Sequence, residues 1–573
     1  MIYFRLMLIS FLLFQNTFAQ NPNPKGDFFP PLDIPLYLSG NFGELRSDHF
    51  HSGIDFKTQG VTGKNVYSIE VGYISRIKIQ TQGYGNSIYI THPGGLTSVY
   101  GHLESFSDPV KKYVQEYQYQ KKTHTLDIYP DKELFKIEKG EVIASSGNTG
   151  SSGGPHLHFE IRGTSSQHPI NPLFYNFPIK DNLPPQLFNL YVYPIEESTP
   201  GTYATPKIIP LIKSNKAYKL NSGDTITLTG ITGFGLEAAD FLNEISNQCG
   251  VYSIQMFVNE NPVYHFRMDE FSFPESGYIN AHIDFRAKIE RNRKVHLLYR
   301  KPNNRLSLYP LLENEGLVAS NPGEISHLNI RVTDAYGNMS SLEFYVKGLM
   351  PAFFDNKPAS ADNKLFKWNA PNYFENAQVM LSIPVNSLYE DILFTYSRSD
   401  VGYQSIYPYT HYLGDAYTPL HKPAELSFSG DLIPESLRSK VVIALLNGEI
   451  NPSCLFSMWK GDRVSARINK LGKYTLVVDT IAPVIIPANI KSGAIMNSQS
   501  SIRFTVKDNL SGVYEYQGYI DNSWVLFEYD PKNELIVYTF DRERLKSGVE
   551  HQLELYVKDA VGNQKIYHTK FIW

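Results

Sequence analysis

Short runs in which apolar and polar residues alternate dominate the chain. The alternation is strict in Gly154-Pro155-His156-Leu157-His158-Phe159-Glu160-Ile161. That pattern predicts a β-strand, on which residues two apart share a face. Leu157, Phe159 and Ile161 then point into a core, and His156 and His158 share the other face. Comparable runs occur at Val66 to Ile69, Gly72 to Ile79, Asn86 to Thr91, Thr97 to Leu103 and Glu141 to Ser145, with Gly83, Gly85, Gly94 and Gly95 as turns between them. Together they predict a compact antiparallel β-domain over residues 36–180, with a site built from strand ends and loops. Inside it the polar, Tyr-rich segment Asp108 to Phe135 breaks the pattern. Its first part predicts a short helix, and the segment reads equally as a wall of a binding groove or a solvated excursion.

The remaining two thirds are also β-rich. Asp181-Asn182-Leu183-Pro184-Pro185 reads as a linker, and a similar signal recurs at Asp479-Thr480-Ile481-Ala482-Pro483. Val332-Thr333-Asp334-Ala335-Tyr336-Gly337-Asn338 is echoed by Val557-Lys558-Asp559-Ala560-Val561-Gly562-Asn563, each before a closing strand, and Cys249-Gly250-Val251 by Ser511-Gly512-Val513. These repeats predict Ig-like β-sandwiches over 181–350, with an insertion, and over 479–573, with a third β-rich module at 351–478. The expected fold class is mainly β: an N-terminal antiparallel sheet domain followed by about three sandwich modules. No metal or nucleophile constellation is evident after residue 180. Trp459, Trp524 and the tyrosines read as sandwich core rather than as a glycan platform.

Composition agrees. The 573 residues include 39 Tyr, 34 Phe, 40 Gly and 35 Pro, which favours sheets and turns over helix bundles. A net charge of −4 without a long basic run argues against nucleic acid as a partner. Residues 1–19 read as a signal peptide: Arg5, an apolar run from Leu6 to Phe14, and small residues at the cleavage positions of Thr17-Phe18-Ala19. A Pro-rich lead, 20–35, follows. The expected location is periplasmic, envelope-associated or secreted, with no transmembrane segment after cleavage. Cys249 and Cys454 fall in different modules and are expected as single thiols.

His51 and Asp55 add candidate chemistry. On a straight strand they would lie about 13 Å apart, so sharing an ion requires a bend, and Gly53 supplies it. His51, Asp55 and one of His156/His158 offer two nitrogens and one carboxylate oxygen. That donor set suits zinc and leaves a position for water. Of the other histidines, His49 is expected to be exposed, His92 and His168 sit beside prolines in turns, and His124 falls in the insertion.

His51-x-x-x-Asp55, Tyr100-Gly101-His102-Leu103, Gly147-Asn148-Thr149-Gly150 and Gly154-Pro155-His156-Leu157-His158-Phe159-Glu160, in that order, resemble the M23 family of zinc metallopeptidases of the lysostaphin/LytM type. Ser39-Gly40-Asn41-Phe42-Gly43 resembles the opening strand of that domain. The resemblance spans roughly residues 36–175. It implies that His51, Asp55 and His158 hold Zn²⁺ and that His102 and His156 are catalytic, one as proton carrier and the other as oxyanion donor. It further implies a zinc endopeptidase acting on the peptide cross-links or stems of peptidoglycan. The competing reading is a non-catalytic LytM-like envelope module that binds or regulates; loss of activity usually shows as missing ligands, and none is missing here, which favours the enzyme. Through the β-modules, cell-wall polymer or an envelope protein is a further candidate partner.

Overall fold

The computed structural model describes residues 26–195, 201–214, 217–350, 364–446 and 452–573. The leader at 1–19 lies outside them. In chain order the N-terminal domain carries β1 (Leu38–Gly40), β2 (Ile54–Lys57), β3 (Asn65–Tyr67), β4 (Gly72–Ile79), β5 (Ser87–His92), β6 (Leu96–Gly101), β7 (Leu103–Phe106), helix α1 (Asp108–Lys121), β8 (Leu126–Ile128), β9 (Lys136–Ile137), β10 (Val142–Ser146), β11 (His156–Gly163) and β12 (Pro169–Ile170). The main antiparallel sheet runs β1-β2-β11-β6-β5-β4-β8, and β3, β10 and β7 form a smaller one.

β11 lies between β2 and β6, and its alternation decides what each face does. Leu157, Phe159 and Ile161 are fully buried, and Phe159 packs against Phe56, Tyr100 and Phe177. Each such burial contributes about 1.5–3 kcal/mol. The other face presents His156, His158, Glu160 and Arg162 in one row.

The insertion forms α1. Pro109 sits in its first turn, where a missing N–H has no intrahelical partner to lose. Lys122 ends the helix in the left-handed conformation, φ 50°. Val110, Val114 and Gln118, at helical spacing, make its buried face.

Downstream, a single eleven-stranded sheet wraps around the core of the segment from Gln186 to Leu349. Its long strand Thr225–Ala239 pairs antiparallel with Gln186–Pro194 at one end and parallel with Met339–Leu349 at the other. The segments 364–478 and 484–573 each place sheets on either side of a separate apolar core. By contrast, the core of the N-terminal domain runs without a break into the next module, from Leu32 to Val346, and takes in Tyr389 of the third.

The last module returns to the first. Tyr119 on α1 meets Trp524 edge-on at 5.3 Å between ring centroids, with Arg544 4.1 Å over the other side of Tyr119. His124 reaches the carbonyls of Phe527 (2.9 Å) and Tyr516 (3.1 Å). Trp524 is 7% exposed, buried by this contact, and is no glycan platform. Trp459 is half-buried, its indole N–H donating to Arg438 O at 2.6 Å. Cys249 and Cys454 are both unpaired. Among the described residues no helix is long and apolar enough to cross a membrane.

Candidate metal centre

The chain bends at Gly53, just before β2, and the bend returns His51 to Asp55. A Cβ at Gly53 would stand 2.3 Å from Phe159 O, so glycine is also what lets this segment lie against β11. Asp55 pairs directly with His158 across the β2–β11 ladder. His51 Nε2 lies 3.1 Å from Asp55 Oδ1 and 3.1 Å from His158 Nδ1, and His158 Nδ1 lies 2.9 Å from Asp55 Oδ1. Three donor atoms about 3 Å apart approach the spacing of tetrahedron corners, about 3.3 Å for bonds of 2.0–2.1 Å. All three residues are buried. The two-nitrogen, one-oxygen set fits a divalent transition metal with positions left open.

Partners fix which nitrogen faces the ion. His51 Nδ1–H donates to Asn41 O (2.7 Å), leaving Nε2 inward. His158 Nε2–H donates to Glu160 Oε1 (2.9 Å), leaving Nδ1 inward. Glu160 is itself fully buried and receives Ser52 Oγ–H (2.6 Å), Tyr84 O–H (2.6 Å) and Arg162 Nε–H (2.5 Å). Asn41 turns its side chain away from the ion position: its amide donates to Gly250 O and accepts from Gly250 N, both at 2.7 Å. The described part of the Pro-rich lead is tied down elsewhere, with Phe28 stacked on Tyr175 and Phe29 N donating to Ile69 O.

Electrostatics favour ligand charge on the oxygen. Burial opposes ionisation of Asp55, but His51, His156 and His158 together hold its carboxyl well below the usual carboxylate range. Arg46 adds a bond to Asp55 Oδ2 at 2.8 Å. Burial lowers the pKa of His51. His158 is also desolvated, yet Asp55 and Glu160 push it up to about 9, and an arriving cation would displace that proton.

His102 and His156 flank the triad. His102 sits between β6 and β7 with φ 58°, a backbone region that a non-glycine residue rarely adopts and that often marks a functional site. Its Nδ1–H donates to Thr149 O (2.8 Å), within the Gly147-Asn148-Thr149-Gly150 turn. His156 Nδ1–H donates to Gly154 O (2.8 Å), and its Nε2 lies 3.6 Å from Asp55 Oδ1. Both rings therefore keep Nε2 for the site, with ring centroids 4.7 Å apart. Burial and the neighbouring His158 and His156 hold His102 down to about 3, so its Nε2 carries a lone pair.

This geometry agrees with the sequence comparisons. Residues 49–123 and 124–172 match the sequence model of Peptidase family M23. The N-terminal domain is an M23 domain. It is 32% identical over 155 residues to the DD-carboxypeptidase/endopeptidase Mpg of Neisseria meningitidis, an alignment covering 26% of this chain and 29% of that one. An uncharacterized metalloprotease of Haemophilus influenzae is 32% identical over 130 residues, 22% of this chain and 21% of its own. The chain thus spans less than a third of the length of these curated relatives. The catalytic domain of lysostaphin from Staphylococcus simulans aligns at 22% identity over 24% of this chain and 90% of its own, with a TM-score of 0.18 that carries no weight by itself. Residues 363–479 match a Zu5-like domain, a likeness the sequence reading of this module had not assigned.

The other histidines sort themselves. His49 is exposed. His92 closes β5 and is buried, bonded to Val71 O and Ser98 Oγ, rather than lying in a loose turn. His124 belongs to the contact with the last module. Glu160 and Asn41 were missed as orienting groups. Strand spacing could have flagged Glu160, two residues beyond His158, whereas the backbone contact of Asn41 has no sequence signature. The expectation of no metal or nucleophile constellation after residue 180 overlooked two carboxylate clusters close enough to hold an ion. Asp181, Asp240 and Asp334 converge, as do Asp479, Asp508 and Asp559. Each triad joins strand ends that are distant in sequence, so linear spacing did not reveal it.

Proposed function

We propose that this protein is an exported zinc endopeptidase that hydrolyses peptide cross-links or stems of peptidoglycan. The observation that carries the reading is the convergence of His51 Nε2, Asp55 Oδ1 and His158 Nδ1 beside two histidines whose Nε2 atoms remain available. His51, Asp55 and His158 would hold the zinc, whose bound state supplies Lewis acidity and lowers the pKa of a coordinated water toward neutrality. The chain's own groups do the rest. The Nε2 of His102 or His156 takes the proton of the attacking water and delivers it to the leaving amine. The other ring, given a proton from bulk solvent at Nε2 and returning it after release, donates that Nε2–H to the developing oxyanion. Thr149 O and Gly154 O hold each ring in the tautomer that this exchange requires. The names of the Neisseria relatives support a wall peptide as substrate, and the apolar run after Arg5 supports export.

The test is digestion of purified peptidoglycan, with the released muropeptides identified by mass spectrometry. Chelation should abolish release and added Zn²⁺ restore it. Full release by a His158→Ala variant would refute the reading.

A further inference from the structure

The two repeated modules carry matching acidic clusters that the peptidase reading does not use. In each, one carboxylate oxygen from every member lies within 4.8 Å of the others. The first joins Asp181 in the linker, Asp240 after the long strand Thr225–Ala239, and Asp334 in the Val332–Asn338 motif. The second joins Asp479, Asp508 and Asp559 at the corresponding places of the last module.

The matching extends to single bonds. Asp334 Oδ1 accepts from Tyr336 N and Asn338 N, and Asn338 Nδ2 donates to Asp334 Oδ2 (2.7 Å) and to Asp181 O (3.4 Å). Asp559 Oδ1 accepts from Val561 N and Asn563 N, and Asn563 Nδ2 donates to Asp559 Oδ2 (2.7 Å) and to Asp479 O (3.0 Å). The repeat motif thus fastens the linker to the closing turn and brings its carboxylate to the cluster.

These contacts leave each cluster incomplete. Asp240 is only 2% exposed, and its Oδ1 has no hydrogen-bond partner among the described residues. Asp181 Oδ2 and Asp508 Oδ1 are shielded oxygens without a hydrogen-bond partner among the described residues, but both aspartates are only half-buried. Among the described ion pairs, none joins any of the six aspartates to a lysine, arginine or histidine. Gathering three carboxylates away from water without a counter-charge is strongly unfavourable. A cation resolves this, and the donor chemistry selects it: oxygens alone, with neither nitrogen nor sulfur, suit a hard ion of flexible coordination.

We propose that Asp181, Asp240 and Asp334 form a calcium site that locks the Asp181 linker onto the β-module it introduces. The site is separate from the zinc triad and independent of its chemistry.

Equilibrium dialysis of the full-length, zinc-loaded protein against radioactive Ca²⁺ tests this. At least one ion per chain is expected, and Asp240→Asn should bind one fewer than the unaltered protein. No ion on the unaltered protein, or an unchanged count in the variant, overturns the proposal. Should circular dichroism show Asp240→Asn to be unfolded, Asp181→Asn, at a half-exposed position, takes its place. The unaltered protein gives a second readout. Its Tm should rise with calcium and fall when a calcium-selective chelator is added, and a Tm indifferent to calcium overturns the proposal as well.

Discussion

Glu160 lies beyond the three ion-binding side chains, yet it decides which nitrogen of His158 is available to an ion. Its carboxylate takes the Nε2–H of His158 and is balanced by the buried Arg162. Glu160→Gln keeps the shape but removes the charge, so His158 is left with only a neutral acceptor and Arg162 loses its counter-ion. Outer partners of this kind are worth about 10–100-fold in metal affinity, and breaking a buried pair costs about 3–5 kcal/mol. Competition with a chromogenic chelator should show the first effect and thermal melting the second. His102→Ala should behave in the opposite way. The ring touches no ion-facing atom of the triad, so metal content, read by atomic absorption, should stay at the unaltered level while kcat falls about 10²–10⁴-fold. Loss of metal in that variant would mean that His102 is a ligand. At this scale the sequence was most legible. His51, Asp55, His156 and His158 sit in local motifs whose spacing carries meaning, whereas Asn41 acts through its backbone carbonyl and its clamp to Gly250, contacts that bridge distant parts of the chain.

The elements show where local pattern suffices and where it stops. Alternation along His156–Gly163 placed the core face and the histidine face of β11, because strand period alone determines them. The bend at Gly53 was readable too, since Asp55 cannot reach His51 without it. What could not be read was the second demand on Gly53, its close approach to Phe159 O. Gly53→Ala would set a methyl 2.3 Å from a backbone atom that has no rotamer to yield, and β2 must move away from β11. A cost of about 1–3 kcal/mol is expected, and Asp55 moves with its strand. A lower Tm together with weaker metal binding is therefore the expected pair of results; a lower Tm alone would mean that the strand shifts without disturbing the ion site. The insertion was legible as a short helix, but its role was not. Its inner face follows from the spacing of Val110, Val114 and Gln118, while its outer face is explained by Trp524 and Arg544, some four hundred residues away.

At the scale of the whole molecule the chain closes on itself. The M23 domain shares a core with the second module, and Asn303 bonds the second to the third through Asn386 O and Leu388 O. The third meets the last where Lys440 Nζ donates to Val561 O. The last grips α1 and extends Lys532 to the carbonyls of Asn148 and Gly150, beside the turn that orients His102. Linear order predicts a string of modules, and the contacts centred on Tyr119 and Trp524 turn the string into a ring. Closure is an intramolecular docking whose effective concentration is of order millimolar, so one central aromatic anchor has large leverage. Trp524 lies against Tyr119 and His124, outside the apolar cluster that forms its own module's core. Trp524→Ala should therefore remove about 2–4 kcal/mol from docking while the last module stays folded. The radius of gyration from small-angle X-ray scattering should increase, calorimetry should resolve a separate transition for the last module, and metal content should stay constant. Unchanged scattering would show that Lys532, Arg544 and the bond from Gln115 Nε2 to Asp541 Oδ2 (3.0 Å) hold the ring closed without the indole. Scattering that expands with loss of zinc would show instead that closure maintains the metal centre, through the turn that Lys532 grips.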